Sequence, residues 1–121
     1  MNSQLDDYLG GRSSLTKRQI ERLLLQISLQ KGGPEGIEGE SGSRISGVSP
    51  GAYYRVLSQA RSNIDQALYT VLLCSRIGVL QMDDLRRLLD LISKAPSEVA
   101  EGDADQLKSL VDALVNRIVM L

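Results

Sequence analysis

The sequence predicts an all-α protein, a small helical domain of about four main helices with one long helix at its centre. Three observations carry this. The apolar residues are aliphatic: with no Phe, no Trp and four Tyr in a 42% hydrophobic chain, the core must be Leu, Ile, Val and Ala, branched side chains that interdigitate between helices. Apolar positions recur at i, i+3, i+4 and i+7 in several stretches, the stripe of an amphipathic helix. No stretch alternates at a period of two for long enough to build a sheet. At 121 residues the chain reads as one domain, 1–121, with a core of modest size.

Residues 1–14 are polar and carry Gly10-Gly11, which reads as a loose arm with at most a short helix. Thr16 followed by Gln19 fits a capping box, with Leu15 and Ile20 as the hydrophobic staple. Ile20, Leu23, Leu24 and Ile27 then share one stripe, so a helix is expected from 17 to about 30. Residues 31–47 hold six of the eleven glycines and Pro34. Glycine loses more backbone entropy on ordering than any other residue. The segment is therefore expected to be a long mobile loop, acidic at 35–40 and basic at Arg44.

A second helix start follows. Ser49 suits the N-cap, Pro50 suits the first helical position where its missing N–H costs nothing, and Val48 can staple to Tyr53. Tyr53, Val56, Leu57, Ala60, Ile64, Ala67, Leu68 and Val71 keep one face, and Gly78 supplies the stop. That makes a helix of about 27 residues, about 40 Å long, along which Ile64, Leu68 and Val71 are expected to be nearly fully buried. Leu85, Leu88, Leu89 and Ile92 mark a helix from about 82 to 95, with Asp83 and Asp84 near its positive end and Pro96 beyond it. Asp103 and Gln106 fit another capping box, after which Leu107, Leu110, Val111, Leu114 and Ile118 carry a last helix. Val115 and Val119 widen its apolar face, and a helix apolar over more than one face needs a second partner. A homodimer through 80–121 is the expectation.

Composition removes several function classes. There is no histidine, hence neither the commonest general base nor the commonest metal ligand. Cys74 is the single cysteine; it has no partner for an internal disulfide and reads as a small buried hydrophobe. Gly32, Gly33, Gly36, Gly39 and Gly42 are not followed by a Gly-Lys-Ser/Thr, and Glu35, Glu38 and Glu40 would repel a phosphate. Asp83-Asp84 reads as a dipole partner rather than a metal site. No catalysis, cofactor or metal is expected. No apolar run approaches 18 residues and no leader pattern is present, so the expectation is a cytoplasmic protein without a membrane partner.

Net charge is −1, but it is uneven. From Arg12 to Lys31 five basic residues face one acid, Glu21, and from Arg44 to Arg61 three arginines face none. After Arg61 come nine acids and six bases. Such a distribution can build a basic face on a neutral protein.

Within that acid-free run, Gly47-Val48-Ser49-Pro50-Gly51-Ala52-Tyr53-Tyr54-Arg55-Val56-Leu57-Ser58-Gln59-Ala60-Arg61 resembles the recognition helix of helix-turn-helix DNA-binding proteins. Leu15-Thr16-Lys17-Arg18-Gln19 is similar to the opening of the first helix in DNA-reading domains of bacterial sigma factors and LuxR-type regulators. The resemblance implies a DNA-binding half at 15–61 and a helical packing and dimerisation half at 62–121, as in small prokaryotic transcriptional regulators or plasmid and chromosome maintenance factors. It places Lys17, Arg18, Arg22, Arg44, Ser49, Gly51, Tyr54, Arg55, Ser58 and Arg61 against duplex DNA. In that arrangement Arg55 is set for guanine, Ser58 for a tolerant hydrogen bond, and Tyr54 and Arg61 for phosphates. Two features depart from the motif. The gap from Gln30 to Ser49 is far longer than its three- or four-residue turn, and the helix from 50 outruns an ordinary recognition helix. The other reading open to the sequence is a helical protein-interaction or assembly module with no nucleic acid.

Overall fold

A computed structural model describes residues 4–31, 42–95 and 101–121. Every regular element among them is an α-helix: α1 (Gln4–Arg12), α2 (Lys17–Gln30), α3 (Gly42–Ser46), α4 (Pro50–Ile77), α5 (Met82–Lys94) and α6 (Glu101–Ile118). The all-α class and the long helix are as the periodicity predicts, with two short helices added. The mobility expected of 32–41, and the glycine and glutamate positions within it, lie outside the described residues.

Local chemistry sets the helix limits. Thr16 Oγ1 accepts from the Gln19 N–H and Gln19 Oε1 accepts from the Thr16 N–H, both at 3.1 Å, closing the capping box. Ser49 Oγ accepts from the Ala52 N–H at 3.2 Å with Pro50 as the first helical residue. Gly78, at φ +83, ends α4 in the left-handed conformation that a side chain would resist. At α6 the expected start is late: the helix begins at Glu101, so Asp103 lies inside it rather than capping it.

The chain divides into two compact units, Ser13–Ala67 and Met1–Arg12 with Leu68–Leu121. In the second unit, α6 contributes Ala104, Val111, Leu114 and Ile118 to the core. The contacts there run from α5 to α6 and from α1 to α6. Residues 1–14, expected as a loose arm with at most a short helix, carry the short α1, with Leu5 buried at 3% exposure. Tyr8 donates its hydroxyl to Asp112, and Arg12 pairs with the same carboxylate at 3.8 Å while covering the Tyr8 ring at 4.5 Å. Glycine pairs do not prevent a helix whose far side is satisfied this well. Asp84 is buried, held by Arg87 at 3.5 Å and by Arg117 of α6 at 3.4 Å, so it ties α5 to α6 as well as facing the α5 dipole. A short antiparallel bridge, Leu80 to Val119, joins the α4–α5 turn to the end of α6.

Two burial expectations fail. Ile64, Leu68 and Val71 are exposed, Leu68 to 59%. Their helical phase is that of buried Tyr53 and Ala60; what differs is how much of each the described residues cover. Cys74 is half-buried rather than buried.

Candidate nucleic-acid interface

The unit Ser13–Ala67 builds on Tyr53, which is fully buried. Its hydroxyl donates to Gln26 Oε1 at 2.9 Å, the Arg22 guanidinium sits 5.8 Å from its ring centre, and Tyr54 meets it edge-on at 5.2 Å. Asn63 Nδ2 donates to Gln19 Oε1 at 2.9 Å. Gln19, Arg22 and Gln26, spaced i, i+3, i+7, are thus the α2 side chains turned toward α4. The aliphatic stripe that marks α2 in the sequence is set off from them: Ile20, Leu23 and Leu24 are half-buried and Ile27 is exposed. The reason is polar satisfaction, because the Tyr53 hydroxyl and the Asn63 amide need partners once α4 is covered. Burial pushes the Tyr53 phenol above its ordinary value, Tyr54 adds to the rise, and Arg22 opposes it.

α3 closes part of the gap that the sequence left before the recognition-like helix. Gly42–Ser46 is one short helix, packed against α2. Gly47 follows at φ +77 and donates its N–H to Ser43 O at 3.1 Å; Val48 and Ser49 complete the turn into α4. The segment 31–47, expected as loop throughout, therefore carries a helix at its end. Gly42 has a reason to be glycine: a Cβ there would fall within the Tyr53 ring.

Tyr54, Ser58 and Arg61 lie within about 60° of one another around α4, with Arg55 about 60° further on; all four are exposed. At the helix tip Pro50 has no N–H and the Ala52 N–H is taken by Ser49, which leaves the exposed Gly51 with a first-turn N–H free of intrahelical duty. Arg44 is exposed on α3, five residues before Ser49 ends the turn. The three basic residues of α2 do not all lie on one side of that helix. Lys17 and Arg18 are exposed, but Lys17 and Arg22 stand about 140° apart on α2. Arg22 is half-buried on Tyr53, its Nε without a hydrogen-bond partner among the described residues. Arg61 pairs loosely with Asp65 at 3.8 Å, an acid whose i, i+4 spacing the sequence already displayed.

Over the whole unit the sequence places seven bases, Lys17, Arg18, Arg22, Lys31, Arg44, Arg55 and Arg61, against five acids, Glu21, Glu35, Glu38, Glu40 and Asp65. Among the described residues no group of acids and cysteine is placed to hold a metal ion, and no helix is long and apolar enough to cross a membrane. No protein-family model, curated protein or solved structure matches the chain.

Proposed function

We propose that this chain binds duplex DNA through the unit Ser13–Ala67, with the first turns of α4 set against the groove, as a small regulator or maintenance factor rather than an enzyme. The observation that carries the reading is the short α3, the left-handed Gly47 turn and the exposed Gly51, Tyr54, Arg55 and Ser58 at the start of α4. Backbone phosphates would meet Gly51 N–H, Ser49, Lys17, Arg18 and Arg44, and a base edge would meet Arg55. Arg22 supports this surface from behind, through Tyr53, and is not among the contacts. Pairing of copies belongs to the same reading, since two such surfaces suit two half-sites; residues 80–121, where it was expected, expose Leu89, Leu110 and Val115.

Fluorescence anisotropy with mixed-sequence duplex DNA over a salt series tests the reading. Affinity should fall linearly in log–log form with salt, and Lys17→Ala should reduce the slope by about one. Arg55→Ala should cost roughly 1–3 kcal/mol, chiefly on the preferred site. No binding at about 50 mM salt, where phosphate contacts are strongest, overturns it in favour of a protein-interaction module.

A further inference from the structure

Beyond Ala60 the long helix keeps presenting large apolar side chains that are exposed among the described residues. Leu68, Tyr69, Val71, Leu72, Leu73 and Ile77 are all exposed, Tyr69 to 73% and Leu72 to 61%. They span more than half the helix circumference, and no charged residue falls between Leu68 and Ser75. A helix apolar around most of its girth belongs in a buried position. At roughly 200 Å² per residue of this size, Leu68, Tyr69, Leu72 and Leu73, which share one side, expose on the order of 500 Å², well over half of the roughly 800 Å² per partner of a stable interface.

The flanking charges say what fits. Asp65 and Arg76 lie on the same side of α4 as Tyr69 and Leu72, because their eleven-residue separation is close to three full turns. A second α4 turned end for end, about a two-fold axis between Thr70 and Val71, sets Asp65 opposite the second copy's Arg76 and Arg76 opposite its Asp65. Tyr69 then faces Leu72, and Leu68 faces Leu73. The apolar centre meets itself, and each end meets the opposite charge. Asp65 is free to accept a second guanidinium, since its pair with Arg61 is 3.8 Å long and both side chains are largely exposed.

We propose that a second copy of this chain docks antiparallel on residues 64–77 of α4, making this helix rather than 80–121 the seam of a homodimer. The proposal rests on the paired-copy part of the reading above and not on its DNA part. α4 ends at Ile77, so the two helices overlap only over 64–77, and Tyr54, Arg55 and Ser58 remain outside the seam.

Sedimentation velocity of the full chain from about 1 to 100 μM, a range bracketing ordinary assay concentrations, should show a dimer. Leu72→Glu should make it monomeric with an unchanged far-UV circular dichroism spectrum, because Leu72 is exposed within one copy. Arg76→Asp, which sets two acids face to face, should weaken dimerisation about tenfold, and Asp65→Arg combined with Arg76→Asp should restore it. A wild-type monomer throughout overturns both the seam and the pairing of copies. A dimer that survives Leu72→Glu but dissociates with Val115→Asp keeps the pairing and overturns the α4 seam. Failure of the double charge reversal to rescue overturns the antiparallel register. The anisotropy measurement above reads the DNA proposal separately.

Discussion

Replacing Tyr53 with Ala removes a fully buried ring from the centre of the Ser13–Ala67 unit. The ring carries the hydroxyl contact to Gln26, the Arg22 guanidinium and the edge-on contact to Tyr54, and it lies against Gly42. Truncating a buried aromatic residue costs about 3–5 kcal/mol. Tyr53→Phe keeps the ring and removes only the donor at 2.9 Å from Gln26 Oε1, which should cost about 1 kcal/mol. Gly42→Ala attacks the same contact from the α3 side: its Cβ cannot coexist with the ring, so overpacking should cost about 1–3 kcal/mol. Urea unfolding followed by circular dichroism measures all three. Two compact units can melt separately, and the loss belongs in the transition of the unit containing Tyr53, reported by its ultraviolet absorbance. If Tyr53→Ala costs less than about 1 kcal/mol, a value expected of surface changes, the packing described for α2, α3 and α4 is wrong.

Two other outcomes follow from the same contacts. Asp84→Ala removes the carboxylate shared by Arg87 and Arg117; because both guanidiniums are exposed the loss should be about 1–2 kcal/mol, and a thermal melt showing under about 0.5 kcal/mol would remove Asp84 as the tie between α5 and α6. The Tyr8 phenol is raised by its hydrogen bond to Asp112, then by burial, with Arg12 opposing, and the Tyr53 phenol is raised by burial. A group raised in the folded state stabilises fully below its unfolded value, about 10 for Tyr, and that contribution is lost as pH rises through the folded value. Stability should therefore hold up to about pH 10 and fall above it, with a smaller alkaline loss in Tyr53→Phe; a loss already under way at pH 8 would contradict this assignment.

Sequence alone determined where α2 and α4 begin and where α4 ends, because those limits are local chemistry. Thr16 and Gln19 cap each other across three residues, Ser49 caps and Pro50 opens α4, and Gly78 takes a backbone angle that other residues avoid. The helical phase of α4 was legible too, since Tyr53 and Ala60 are buried on the face the periodicity marks. What covers each face was not legible. An i, i+4 pattern says that a helix has an apolar side, but the neighbour against that side comes from distant positions in the chain. Asp112 holds Tyr8 and Arg12 from about a hundred residues away, which turned a polar, glycine-bearing arm into a packed helix. Asn63 and the Tyr53 hydroxyl drew the polar Gln19 and Gln26 of α2 toward α4. Arg22 is one basic residue among several in the sequence, and only the tertiary structure set its guanidinium over the Tyr53 ring. The same holds for Leu68 and Val71. Their periodicity is that of a core, yet burial is decided by whatever lies opposite, and in a single copy these side chains face solvent.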